Sequence, residues 1–154
     1  MMLDIRPVGW VRNGVEGPKH EGWEEVVSEI VMEPEFQECL NGIEGFSHIQ
    51  VLFWFHKLSL EERAKRKFRP RDREDAPIVG SFVTHSQRRP NPIGVTVVRL
   101  LERKGNVLKV QGLDALDGTP VIDIKSYSGG LDDSEDVRVP EWHRRGRGEA
   151  RAKG

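Results

Sequence analysis

The chain of 154 residues holds one cysteine, Cys39. A lone thiol excludes an internal disulfide and a cysteine-built zinc site. No apolar run reaches the ~18 residues of a membrane-spanning helix. The N-terminus, Met1-Met2-Leu3-Asp4-Ile5-Arg6, lacks a basic-then-apolar signal pattern. Together these lead us to expect a cytoplasmic protein without a membrane anchor. Five histidines (His20, His48, His56, His85, His143) share no metal-ligand spacing, so no metal is expected. The Walker loop, the Gly-x-Ser-x-Gly elbow and the Gly-x-Gly-x-x-Gly fingerprint are all absent, so any nucleotide cofactor binds by another route. Four Asn and four Gln are few beside 24 basic and 25 acidic residues, a balance met in heat-adapted proteins.

What is present is charge, unevenly distributed. Residues 63–73 carry seven Lys/Arg and one acid, Asp72, while residues 138–154 carry six Lys/Arg against Glu141 and Glu149. The rest of the chain has 11 basic and 22 acidic residues. Local positive potential attracts phosphate whatever the net charge of −1. The expected organisation is one domain over residues 1–135 and a basic tail over 136–154.

The hydrophobic pattern is mostly that of strands. Extended segments are predicted at Ile5–Arg12, an edge strand because of Pro7, and at Glu25–Glu33. His48–His56 (HIQVLFWFH) reads as a strand buried on both faces. Val79–Thr84, Gly94–Arg103, Asn106–Leu113 and Val121–Lys125 follow, with a hairpin at Arg103-Lys104-Gly105-Asn106. Pro34–Leu40 predicts one or two helical turns ended by Asn41-Gly42. Ser59-Leu60-Glu61-Glu62 has capping-box spacing and predicts a short helix. The basic stretch running into Pro70 and Pro77 is expected to be a flexible loop. Strands of this number and spacing predict a mainly β protein, a small β-barrel with one or two short helices.

Three stretches concentrate functional groups. In Thr84–Gly94 (THSQRRPNPIG), prolines on both sides of Asn91 fix φ and hold Arg89 and Asn91 out of the helical region. A stiff loop loses little entropy when its polar groups converge on a ligand. In Gly112–Lys125, Asp114, Asp117 and Asp123 could accept from ribose hydroxyls or an amine, bind a cation, or serve only as turn-makers. The third stretch, Gly42–His48, leads into the apolar strand that ends at His56-Lys57.

Pro7–Arg12, Gly42–His48, Arg89–Gly94 and Gly112–Tyr127, in this order, resemble the TrmO/TsaA family, also called the YaeB-like or VirR-like domain. The resemblance covers about residues 5–130. It implies a β-barrel methyltransferase, unrelated to the Rossmann type, that works as a homodimer with S-adenosyl-L-methionine. The implied reaction is methylation of N6 of the threonylcarbamoyl-adenosine just 3′ of the tRNA anticodon, position 37. It assigns cofactor contacts to His56, Lys57, His85, Arg89, Val95, Gln111, Gly112, Leu113 and Asp114, and to Glu21, Gly22 and Trp23. The family often has Arg where this chain has His85, which would make pairing with the cofactor carboxylate pH-dependent. Bacterial members carry a further C-terminal domain; here loop 63–73 and the basic tail are expected to take over contact with the tRNA anticodon loop. Asn91 and Asp114 are the candidate catalytic groups, accepting from the adenine N6–H so that nitrogen electron density is localised for attack. Two competing readings are a non-catalytic RNA-binding barrel and a methyltransferase for another acceptor.

Overall fold

The computed structural model describes residues 1–129 and 136–146. Along the chain come strands β1 (Gly9–Arg12), β2 (Val27–Met32) and β3 (His48–Trp54), helix α1 (Leu60–Ala64), the short strands β4 (Lys67–Phe68) and β5 (Val79–Gly80), and strands β6 (Ile93–Lys104), β7 (Val107–Gln111) and β8 (Pro120–Ser126). Six of them close into a barrel in the order β1-β2-β7-β6-β3-β8, antiparallel at every junction. The mainly β, closed-barrel expectation is met. The chain divides into two compact units. One is Met1–Leu58 with Pro92–Ser128, which holds the barrel; the other is Ser59–Asn91 with Gly129–Gly154.

Period-two alternation builds the core. Ile49, Val51 and Phe53 of β3 are buried, while Gln50, Leu52 and Trp54 are only partly so. The expectation of burial on both faces is therefore corrected. A closed barrel has one interior, and alternate side chains must point out of it. Inside, the β3 residues meet Val11, Ile30, Met32, Val98, Leu108, Val110 and Val121. Gly94 of β6 is buried there too. A Cβ at this position would stand 2.6 Å from Cζ of Phe53 and 2.9 Å from Cζ of Phe55. Those two rings meet edge to face at 5.3 Å, a favourable aromatic geometry that only glycine leaves room for.

Antiparallel closure sorts the strand ends. One mouth of the barrel collects the ends of β1, β3 and β7 and the starts of β2, β6 and β8. At the opposite mouth the chain leaves β2 into a 3-10 turn, Pro34–Leu40, with Pro34 in its first turn and Asn41 at its end. Its Leu40 is buried in the core, and Arg103 near the end of β6 donates to the Leu40 carbonyl at 3.1 Å. The β6–β7 hairpin turns at Gly105-Asn106 with Gly105 at φ 58°, the positive φ that tight hairpins need.

In the second unit, Ser59 caps α1 by accepting from the Glu62 N–H at 3.1 Å, as its spacing predicts. Two expectations fail there. The strand predicted over Val79–Thr84 stops at Gly80, because the Thr84 N–H and hydroxyl both turn back to the Ser81 carbonyl, at 3.2 and 2.9 Å. The stretch 63–73 is not a structureless loop: it pairs β4 with β5 and makes a 3-10 turn over Pro70–Asp72. In the barrel unit, Ile5–Arg12 becomes a strand only from Gly9, since Pro7 has no N–H to donate.

Replacing Gly94 with Ala forces the Phe53–Phe55 pair apart and is expected to cost about 1–3 kcal/mol, as overpacked cores do. Gly17→Ala, where a Cβ meets nothing within 4 Å, should leave urea-unfolding midpoints unchanged. Equal midpoints for the two variants would disprove the packing assignment.

Candidate functional site

The segment from Gly112 to Thr119 links β7 to β8 across one mouth of the barrel, and its attachments define the site. At its start, Gly112 takes φ 95° and donates its N–H to the Val26 carbonyl at 3.0 Å. The neighbouring Gln111 amide donates to the Glu24 carbonyl at 3.3 Å. The turn at Gly22–Val26 is thereby tied to the end of β7. Gly22 at φ 78° opens that turn, and the Trp23 indole N–H donates to the Lys19 carbonyl at 2.7 Å. Gly112 leaves open space where a Cβ would be.

One residue further in, Leu113 is buried and anchors the segment in the core. Asp114 faces outward and accepts a hydrogen bond from the Thr96 hydroxyl on β6. Thr96 follows Val95, which is half-exposed and pairs with Leu52 of β3. Ala115 is buried, and its carbonyl accepts from the Asn13 amide at 2.9 Å. That amide also donates to the buried Ser28 hydroxyl at 3.0 Å, while its Oδ1 accepts from the Val15 N–H at 2.9 Å. Asp117 accepts from the Asn13 and Gly14 N–H groups at 2.8 and 3.1 Å. These two bonds hold its carboxyl below the usual aspartate range.

At the far end, the buried Thr119 brings its hydroxyl to 3.4 Å from Nδ1 of His56. Desolvation of the ring, reinforced by the charge of Lys57, lowers the His56 pKa below its ordinary 6.5. Lys57 donates to the Glu16 carbonyl at 2.8 Å. Within the barrel unit, the mouth therefore gathers Gly22, Trp23, His56, Lys57, Val95, Gln111, Gly112 and Asp114 around one segment. Leu113 supports it from inside, and Glu21 is exposed at the start of the 22–26 turn. A carboxylate, a cation and a neutral imidazole on one rim suit a ligand that carries both charges and hydroxyls.

The remaining predicted residues belong to the second unit. His85 and Asn91 are exposed. Arg89 braces its own loop: Nη1 donates to the Thr84 and Ser86 carbonyls at 2.9 and 3.1 Å. Two side-chain turns tighten the same loop, Ser86 N–H to the Thr84 hydroxyl and Arg88 N–H to the Ser86 hydroxyl, both at 3.2 Å. Arg63 Nε donates to the Pro90 carbonyl at 2.6 Å. The stiffness expected from the prolines thus has hydrogen-bonded support. Asn13, Ser28, Thr96 and Thr119 are site residues that sequence reasoning passed over. Asn13-Gly14 after β1 was a turn signal that could have drawn attention to the first; nothing local marks Thr96. Among the described residues, no group of three or more His, Cys, Asp or Glu is arranged to hold a metal ion.

Residues 13–133 match the family model for the tRNA-methyltransferase O N-terminal domain. A probable S-adenosyl-L-methionine-binding protein of Pyrococcus abyssi is 36% identical over 144 residues, 90% of this chain and 76% of the relative. One from Methanothermobacter thermautotrophicus is 43% identical over 136 residues, 86% of this chain and 95% of the relative. A mouse tRNA (adenine(37)-N6)-methyltransferase is 38% identical over 118 residues, 77% of this chain but 27% of the mouse protein. The crystal structure of TrmO from Pseudomonas aeruginosa superposes with a TM-score of 0.69 at 32% identity, covering 90% of this chain and 62% of that one. The chain thus spans under two thirds of that solved structure's length.

The His56 ring should titrate by NMR below 6.5, and Lys57→Gln should move its midpoint upward. A folded pKa below the unfolded value means that the unfolded chain takes up the proton first. The ring's stabilising contribution is therefore complete above pH 6.5 and lost as pH falls below it. A midpoint above 6.5 would contradict the assignment.

Proposed function

The chain belongs to the tRNA-methyltransferase O family, and from that premise we propose that it is an S-adenosyl-L-methionine-dependent tRNA methyltransferase, acting on N6 of threonylcarbamoyl-adenosine at position 37. The observation that carries the reading is the barrel mouth. The residues that the family resemblance assigns to the cofactor in the barrel unit are the ones that the Gly112–Thr119 segment gathers.

The donor set fits the cofactor. Asp114 would hold ribose hydroxyls or the ammonium group, Lys57 the carboxylate, and the open backbone at Gly112 would admit a planar base at close range. The cofactor supplies an activated methyl group, so the protein's task is alignment and exclusion of water. Leu113 and Ala115, buried beneath the segment, keep its backbone rigid while its polar edge faces outward. Thr96, donating to Asp114, orients that carboxylate and leaves its second oxygen free to accept. Asn91 or Asp114 would accept a hydrogen bond from the target N6–H and localise the nitrogen lone pair, and the N6 proton displaced by the methyl group would leave to the Asp114 carboxylate or to water. His85 and Arg89 belong to the second unit, and the cofactor contacts assigned to them are part of the proposal.

The acceptor lies in an anticodon loop, where bases are already partly unstacked and extrusion costs little. A second copy of the chain is the proposed partner. The outward side chains Val95, Val97 and Leu101 of β6 are half-exposed and offer it an apolar row, with light scattering as the check.

The test is transfer of labelled methyl from the cofactor to tRNA, with the product nucleoside identified by mass spectrometry. Asn91→Ala is expected to lower turnover by about 10²-fold or more, as loss of one positioned hydrogen-bonding group at the reacting atoms does. The melting-point rise that the cofactor causes in the wild type should persist in that variant. Full turnover would remove Asn91 from the mechanism. No melting shift in the wild type would remove the cofactor.

A further inference from the structure

The seven basic residues of 63–73 are not equivalent. Four are engaged within the second unit. Arg63 donates to the Pro90 carbonyl and Arg69 to the Ala76 carbonyl, each at 2.6 Å. Lys65 pairs with Glu62 at 3.0 Å, and Arg73 Nε donates to Asp75 at 3.0 Å. Arg66, Lys67 and Arg71 are exposed and have no side-chain partner among the described residues.

Arg66 and Lys67 sit on the strand pair next to a turn that carries an uncovered aromatic ring, and Arg71 follows in the 3-10 turn after β4. Lys67 pairs with Gly80, and the Arg66 carbonyl accepts from the Ser81 N–H at 2.9 Å. The strand pair therefore ends beside the Ser81–Val83 turn. Thr84 locks that turn through its N–H and hydroxyl. On it, Phe82 is 78% exposed, with Val83 and Ile78 also exposed. Arg71 and Asp72 take φ of 53° and 54°, a left-handed backbone that costs free energy in residues with a Cβ and that tends to mark functional segments. Arg88 ties α1, β4 and the Pro70–Asp72 turn together, 2.8 Å from Glu62 and 3.6 Å from Asp72, with its guanidinium 5.4 Å from the Phe68 ring.

An exposed phenyl ring beside cations that have no partner among the described residues is a poor match for a protein core. It matches a nucleic-acid single strand, which offers a π-face at each base and an anionic charge at each linkage. We propose that this face is a single-stranded RNA platform, in which Phe82 stacks on an unpaired base while Arg66, Lys67 and Arg71 neutralise the flanking phosphates. The inference rests on the tRNA reading and adds to it a surface and a stacking residue.

The test is fluorescence anisotropy with a labelled, unmodified anticodon stem-loop RNA, measured over a range of salt concentrations. Phe82→Ala should weaken binding about tenfold at unchanged salt slope, and Phe82→Trp should keep affinity and add tryptophan quenching on RNA binding. The Arg66/Lys67/Arg71 triple alanine variant should reduce the slope of log Kd against log salt by about 2. Lys109→Ala on the barrel should change neither. Retained cofactor-induced melting shifts show that the variants fold. Wild-type binding with unaltered Phe82→Ala and triple variants would overturn the platform alone. Absence of RNA binding by the wild type would overturn the tRNA reading and the platform together. Adsorption to anionic phospholipid vesicles that RNA does not compete away would assign the face to a membrane surface and overturn the proposal.

Discussion

The site depends on the half-buried amide of Asn13. Its side chain satisfies the Ala115 carbonyl, the Ser28 hydroxyl and the Val15 N–H, while its own backbone N–H is taken by Asp117. One residue after β1 thus pins a segment more than a hundred positions downstream. A buried polar group is costly unless every partner is present, so this arrangement tolerates few alternatives. Without it, the Gly112–Thr119 segment would keep its apolar anchors and the backbone bonds at its two ends, Gly112 to Val26 and Val11 to Thr119, but would lose the amide's tie to Ala115 at its middle.

That constraint separates two tasks within the barrel unit. At the mouth by the Pro34–Leu40 turn, Leu40 packs into the core and Arg103 holds its carbonyl, so the turn contributes packing. The other mouth presents carboxylate, ammonium and imidazole groups on short connections whose ends are hydrogen-bonded to neighbouring strands. Precision at the polar rim comes from those tethers, whereas stability comes from the alternating core beneath.

Much of the architecture was legible in the sequence, because it was written in period two and in turn chemistry. The strand-forming residues of β3, the Gly105-Asn106 turn and the Ser59 cap each act locally. The reading of β3 as buried on both faces went astray because Leu52 and Trp54 are apolar too; only barrel closure decides which apolar side chains face inward. The strand expected at Val79–Thr84 ended early because Thr84 made a side-chain turn that composition does not reveal. At the site, Asp114 and Gly112 stood out as motif residues, but Thr96 and Ser28 did not. Their roles arise from contacts across 18 and 15 positions, which no local pattern encodes.

The pairing of β3 with β6 spans the excursion from residue 55 to residue 92, since Trp54 meets Ile93 at the junction. Chain-closure entropy rises with the logarithm of the intervening length, and distant pairings slow the assembly of β proteins. Within that span β4 pairs with β5, bringing Lys67 to Gly80 and closing part of the length locally. The β4–β5 pairing thus shortens the effective loop that the β3–β6 junction has to close, so a strand pair outside the barrel sheet bears on the entropy of barrel closure.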